Sequence, residues 1–175
     1  IEIIPLGGIG EFGMNCMGIR YGDEMIIVDA GMGFPEETPF GVDICIPNFD
    51  FLEEYRDDLT AIILTHGHED HIGALAYILR KFNLPVYSSR FTLALTEKRL
   101  GEFDMLDDVL LHRVEANDII TIGNFRVEFI HASVAELKQS LETLGGGLNV
   151  LHGPARTEVP RLAASLAVGK VYANH

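Results

Sequence analysis

The sequence contains only two cysteines, few basic side chains and no long apolar run, and each scarcity argues against a class of protein. Cys16 and Cys45 stand far apart with no C-x-x-C pair, which excludes a disulfide-dense secreted domain and favours a reducing cytosol. Thirteen Lys and Arg against 26 Asp and Glu give a net charge of −13, which argues against charge-driven binding of nucleic acid by this chain alone. No apolar run approaches the ~20 residues of a membrane helix, so a membrane protein is excluded.

The remaining composition is that of a globular protein. The 175 residues suffice for one domain, and 47% hydrophobic with 22% charged residues exclude a disordered chain. The chain begins at Ile1 without a methionine, inside a strand-like run, and stops at His175 after another, which suggests a piece of a longer protein. The excess negative charge lies in residues 1–132, whereas residues 133–175 are nearly neutral and rich in Leu, Ala and Gly. We therefore expect a domain boundary near Ser133.

Hydrophobic periodicity predicts an α/β fold. Strands joined by glycine turns come first and alternating strands and helices follow. We expect strands at residues 1–5, 14–21, 25–28, 61–64, 85–88, 110–114, 119–122 and 125–130. We expect helices at residues 48–55, 72–82 and 92–100, and an irregular loop at 31–47. The tail predicts a βαβ-like unit with helices at 133–144 and 156–167 and strands at 148–152 and 170–173.

The strongest functional signal is the segment T-H-G-H-E-D-H at residues 65–71, between a buried strand-like run and a helical pattern. Four potential metal ligands fall within six residues, namely His66, His68, Asp70 and His71. Imidazole nitrogens and carboxylate oxygens suit zinc-like divalent ions. On an irregular turn, His66 and His68 would point one way and the other two another way, so that the segment would serve two adjacent ions. A solvated polar loop is the alternative, which three histidines beside an acid disfavour.

Other residues are candidates for the same site. Asp29 ends the buried run at residues 26–28, and beside a histidine cluster it would orient a ligand histidine or a metal-bound water. Standing alone, it would be a turn or capping aspartate. His131 follows a predicted strand and is a possible substitute ligand, whereas His112 and His152 are interpreted as structural or surface histidines.

The run G-I-G-E-F-G at residues 8–13 matches the dinucleotide-binding pattern G-x-G-x-x-G. In that pattern the last glycine opens a helix, but the residues that follow here, 14–20, favour a strand. We therefore interpret the glycines as a tight loop near the site and predict no nucleotide cofactor.

Three stretches of residues 1–132 resemble ribonuclease J, which belongs to the β-CASP branch of the metallo-β-lactamase superfamily. They are P-L-G-G-I-G-E followed by Met14-Asn15, then I-V-D-A-G at 27–31 and L-T-H-G-H-E-D-H-I-G-A-L at 64–75. The pattern H-x-H-x-D-H marks the superfamily, and the opening together with Glu69 narrows it to this branch. The fold that this resemblance implies is an αββα sandwich, of which residues 1–132 would form one half.

The resemblance implies a cytoplasmic RNA-processing hydrolase with exonuclease and endonuclease activity. Two zinc ions, with manganese or magnesium as alternatives, would activate a hydroxide that attacks an RNA phosphodiester. His66 and His68 would hold one ion, and Asp70 and His71 the other. Asp70 and Asp29 would be the catalytic residues, and a homo-oligomer is possible for full-length members.

The resemblance stops near residue 133. The next ligand histidine of the family is expected at position 134, where this chain has Val134, and the later bridging aspartate and last histidine are lacking. Residues 134–175 instead resemble, more weakly, part of the N-terminal α/β domain of a DNA photolyase. The patterns that carry this are residues 137–147, V-L-H-G at 150–153 and V-Y-A-N-H at 171–175.

We therefore expect a fused or truncated fragment with weak, partial metal binding and impaired ribonuclease activity. One alternative is a non-catalytic metal-binding fragment, and another is a different hydrolase of the superfamily that acts on a small thioester or lactam. Because residues 1–132 would supply only the first of two sheets, we also expect a large uncovered apolar face.

Overall fold

The computed structural model describes residues 1–35, 41–129, 160–162 and 164–165. Contacts divide the chain into two units, Ile1–Ile130 and His131–His175. In the second unit the described residues are helical and fall within the helix predicted at 156–167. The other predicted elements of the tail lie outside the described residues, and so do His131, Val134 and His152.

The first unit is built on a six-stranded sheet whose strands lie in sequence order. The strands are β1 (Glu2–Gly7), β2 (Cys16–Tyr21), β3 (Glu24–Val28), β4 (Leu59–Ile63), β5 (Val86–Ser89) and β6 (Leu111–Val114). The pairs β1–β2 and β2–β3 are antiparallel, whereas β3–β4, β4–β5 and β5–β6 are parallel. A two-residue turn suffices between β2 and β3, but parallel neighbours need long crossovers, and these carry the helices.

The crossovers contain α1 (Glu69–Ile72), α2 (Leu75–Phe82), α3 (Arg90–Glu102) and two 3-10 helices, Phe49–Tyr55 and Leu106–Asp108. The predicted helix at 48–55 is thus a 3-10 helix. The helix predicted at 72–82 starts earlier and is interrupted at Gly73, where a Cβ would meet the Met32 side chain at 2.5 Å. The amide of Ala74 donates to the carbonyl of Ala30 (2.8 Å) instead of continuing the helix, and the carbonyl of Asp70 accepts from the amide of Asn15 (3.0 Å). No helix in the described ranges is long and apolar enough to cross a membrane.

Alternate residues of the central strands pack on opposite faces of the sheet. Met25, Ile27 and Ile62 are fully buried on the face covered by α2 and α3. A side chain of this size stabilises the fold by about 1.5–3 kcal/mol when it is fully buried. The predicted α/β class is therefore confirmed, with the core on the helical face.

The opposite face carries Ile26, Ala61 and Ile63, and a second sheet packs against it. This sheet is an antiparallel hairpin of β7 (Ile119–Ile122) and β8 (Phe125–Glu128). The backbone amide of Asn124 in its turn donates a hydrogen bond to the carboxylate of Glu24 (2.5 Å). The expectation that residues 1–132 supply only the first sheet is therefore wrong. The three strands predicted between residues 110 and 130 split between two sheets, because β6 pairs with β5.

Candidate metal centre

The candidate site lies where β3 and β4 end side by side. These strands are parallel, so that the residues that follow them emerge at the same edge of the sheet. Asp29 follows β3, and its amide donates to the carbonyl of Ile63 in β4 (2.9 Å). Its φ of 60° is left-handed, a conformation that Asp tolerates better than most residues. This turn directs the carboxylate of Asp29 toward the segment after β4.

The buried Asp29 carboxylate holds two residues of that segment. Its Oδ1 accepts hydrogen bonds from the backbone amide and the hydroxyl of Thr65 (2.8 and 3.0 Å). Its Oδ2 lies 2.8 Å from Nδ1 of His71. An imidazole nitrogen facing a carboxylate carries the proton, which leaves the lone pair of a neutral ring on Nε2. The carboxylate of Asp29 thus lies where it can orient the ring of His71.

The three histidine rings of residues 65–71 lie together. The ring centroids of His66 and His71 are 3.9 Å apart, and those of His66 and His68 are 4.6 Å apart. Burial, followed by repulsion from the other two rings, lowers the pKa of His66. A lowered pKa keeps this imidazole neutral near pH 7, which is the form that binds metal.

The local structure differs in part from the expected irregular turn. His68 is the N-cap of α1, and only the residues before it are irregular. Asp70 and His71 lie inside the single helical turn of α1, which places them one after the other on a fixed backbone. The amide of Gly73 closes this turn by donating to the carbonyl of Glu69 (2.8 Å), and the helix ends there.

Asp70 and His71 are spaced as a ligand pair. Oδ2 of Asp70 lies 3.5 Å from Nε2 of His71. Two ligand atoms at the corners of a tetrahedral zinc site stand about 3.4 Å apart. The pair therefore fits a divalent ion, although no group of three or more His, Cys, Asp or Glu side chains in the described ranges is arranged to hold one. His131, the possible substitute ligand, lies outside those ranges.

Sequence reasoning gave no role to Asn15, which the structure places against this ligand pair. Its Nδ2 lies 3.1 Å from Oδ2 of Asp70 and 3.2 Å from Nε2 of His71. The signal in the sequence was its place in Met14-Asn15, directly after the glycine run at residues 8–13. Thr65 was missed in the same way, because a hydroxyl beside three histidines carries no spacing signal.

The glycine run lies over Asn15. Gly8 has a φ of 82°, and a Cβ at this position would meet Oδ1 of Asn15 at 2.7 Å. A cavity of about 320 Å³ lies between this loop and the site, and Asn15, Asp29 and His71 are among the residues that line it. Gly8 therefore lies close to Asn15 at the edge of this cavity.

Cys16 also lines the cavity, and its thiol should be unreactive. Burial, together with the negative charge of Asp29, raises the pKa of this thiol to about 12. Because the thiolate is the nucleophile, we expect iodoacetamide at pH 8 to alkylate Cys16 at least about a hundredfold more slowly than the half-buried Cys45. Peptide mass spectrometry over time measures both rates. In denaturant the two rates should converge, and equal rates in the folded chain would contradict the prediction.

Comparison with curated proteins gives relatives named ribonuclease J. The chain is 38% identical to ribonuclease J 1 of Streptococcus pyogenes over 129 residues and 42% identical to ribonuclease J of Thermus thermophilus over 131 residues. These matches cover 74% and 71% of this chain and 23% of each relative. Ribonuclease J 2 of Staphylococcus aureus is 34% identical over 175 residues, which cover 93% of this chain and 31% of the relative. The chain thus spans less than a third of the length of these relatives.

The predicted resemblance to ribonuclease J is confirmed by these matches, and the hydrolase class is confirmed at the level of the family. Among solved structures, the chain is similar to metallo-beta-lactamase SMB-1 bound to 2-mercaptoethanesulfonate, at 18% identity and a TM-score of 0.45. That match covers 72% of this chain and 51% of the other. The model of the metallo-beta-lactamase superfamily matches residues 9–157, which confirms the predicted fold class. The chain therefore belongs to the metallo-beta-lactamase superfamily.

Proposed function

We propose that this chain carries part of the active site of a metal-dependent ribonuclease of the ribonuclease J type, which hydrolyses RNA phosphodiesters in the cytoplasm. The observation that carries the proposal is the buried Asp29 carboxylate, which orients His71 beside Asp70 in contact with a histidine cluster. The relatives named ribonuclease J support the substrate class. Exonuclease and endonuclease activity both belong to the proposal.

In this proposal the histidine segment divides its side chains between two ions. His66 and His68 would hold one ion, and Asp70 and His71 the other, with zinc as the first candidate and manganese or magnesium as alternatives. Bound ions would supply Lewis acidity that activates water and neutralises charge on the phosphodiester. Asp29 keeps the proton of His71 on Nδ1 and so presents the Nε2 lone pair.

We further propose that the activity of this chain is low. Val134 stands where the resemblance expects a ligand histidine, and a valine side chain offers no donor atom. The proposal also divides the chain into a metallo-β-lactamase-like segment at residues 1–132 and a photolyase-like segment at residues 133–175. The Staphylococcus aureus match covers 93% of the chain and so extends into the tail, which favours a diverged ribonuclease J tail as the second candidate. A continuous gene read across the codons for residues 128–140 would show whether the two segments are joined in natural DNA.

We expect no RNA cleavage above background by the 175-residue chain, even with added zinc or manganese. The reason is that ions held by an incomplete ligand set are bound weakly. A 5′-labelled RNA separated on a denaturing gel measures cleavage, and Asp70→Ala sets the background. Metal-dependent cleavage that Asp70→Ala abolishes would overturn the proposed impairment. Hydrolysis of nitrocefin or of a thioester would instead favour the alternative superfamily hydrolase.

A further inference from the structure

We propose that Asn15 is a positioning residue that holds the carboxylate of Asp70 at ligand spacing from His71, and that Gly8 packs against its carboxamide. This inference rests on the proposed metal site. It gives a role to a carboxamide that the function proposed above leaves unused.

The carboxamide nitrogen of Asn15 lies beside both proposed ligand atoms. Nδ2 is 3.1 Å from Oδ2 of Asp70 and 3.2 Å from Nε2 of His71, and those two atoms are 3.5 Å apart. The three atoms thus form a nearly equilateral triangle. Nδ2 also lies 3.1 Å from the carbonyl oxygen of Asp70, so that its two hydrogens can be donated to two oxygen atoms of Asp70. Each of these oxygens keeps a further lone pair, and the lone pair of His71 Nε2 stays available to an ion.

The proton positions follow from the partners. Because Nδ1 of His71 donates to Asp29, Nε2 of the neutral ring carries the one lone pair that an ion would take. A flipped carboxamide would place Oδ1 against the carboxylate and the carbonyl of Asp70, where acceptors would repel. Nδ2 must therefore point inward and Oδ1 outward.

The backbone and the glycine loop fix this orientation. The amide of Asn15 donates to the carbonyl of Asp70 (3.0 Å), and the carbonyl of Asn15 accepts from the amide of Gly31 (2.9 Å). On the outer side, Gly8 approaches so closely that a Cβ would meet Oδ1 of Asn15 at 2.7 Å. The carboxamide thus lies between α1 and Gly8, which limits the rotamers that Asn15 adopts.

The test is zinc binding, measured by calorimetry with zinc chloride on the full 175-residue chain. We expect Asn15→Ala to weaken zinc binding about 10–100-fold, the usual effect of losing a partner that orients a metal ligand. The matched control is Asn48→Ala, since Asn48 is an exposed asparagine whose Oδ1 accepts from the amide of Asp50 (3.0 Å). Asn48→Ala should change zinc affinity by less than about twofold, so that a loss seen only with Asn15→Ala is not a general effect of removing an asparagine side chain.

A second measurement does not depend on the folding of a variant. In the unaltered chain, zinc should shift the ¹H–¹⁵N signals of the Asn15 carboxamide and leave those of Asn48 unmoved. Unshifted Asn15 signals at saturating zinc, or zinc binding by Asn15→Ala that is equal to or tighter than that of the unaltered chain, would overturn the inference alone. Failure of the unaltered chain to bind zinc would overturn both the proposed metal site and this inference.

Discussion

Replacing His66 and His68 together with alanine is expected to abolish zinc binding by the chain. The two rings are edge to face at 4.6 Å, and His66 also contacts His71 at 3.9 Å between centroids. The double change removes two of the four proposed ligands and the steric support of a third. We expect the unaltered chain to bind zinc weakly, with less than full occupancy at micromolar zinc, and the double variant to show no measurable heat of binding.

The control for this prediction is His112→Ala. His112 stacks on Tyr87 with centroids 4.4 Å apart, and no described contact joins it to the histidine cluster. Its loss should leave zinc binding unchanged, which separates the ligand role from a general effect of removing a histidine. Two zinc ions per chain at micromolar zinc would show that the expected weak binding is wrong. Undiminished binding by the double variant would remove His66 and His68 from the ligand set.

Gly31→Ala is expected to destabilise the fold more than a glycine-to-alanine change at any other described position near the site. A Cβ at Gly31 would overlap the carbonyl group of Asp70 and lie 2.8 Å from the amide nitrogen of Asn15. Both neighbours are backbone atoms, so the clash cannot be relieved by a side-chain rotation. Overpacking usually costs about 1–3 kcal/mol and more where the backbone must move, so we expect at least ~3 kcal/mol. Chemical denaturation monitored by circular dichroism measures the loss.

Gly101→Ala is the matched control for this substitution. Gly101 lies in the last turn of α3, and a Cβ there would meet no atom within 4 Å. Alanine in a helix is more favourable than glycine by up to about 1 kcal/mol, so this variant should be slightly stabilised. If Gly31→Ala unfolded at the same denaturant concentration as Gly101→Ala, the close approach of residue 31 to α1 would be disproved.

The features predicted from the sequence are those whose signal is local. The buried run before Thr65 marked β4, and the spacing of His66, His68 and His71 marked the candidate site, because strand patterns and metal ligands have characteristic spacings. The position of Asp29 after a buried run, taken together with the histidine cluster, suggested an orienting role. These inferences needed no knowledge of how distant segments meet.

The features that were missed depend on contacts between distant segments. Asn15 contacts Asp70, which lies 55 positions away in the sequence, and a carboxamide follows no spacing rule that would predict such a contact. The hairpin of β7 and β8 was predicted as two strands, but its separation from β6 depends on which face of the sheet it covers. The interruption after Gly73 arises because the amide of Ala74 donates to the carbonyl of Ala30, a residue of another segment.

The left-handed backbone of Asp29 restricts which residues can replace it. Among common residues, glycine and asparagine accept a φ of 60° most easily, but glycine lacks a carboxylate, and asparagine would present an uncharged amide to His71 and Thr65. Glutamate keeps the charge but is less suited to this backbone and places its oxygens one bond further out. Only aspartate meets both requirements. In a library that encodes every residue at position 29, selection of variants that bind the metal should therefore return aspartate almost alone. Selection of variants that fold should also return glycine and asparagine.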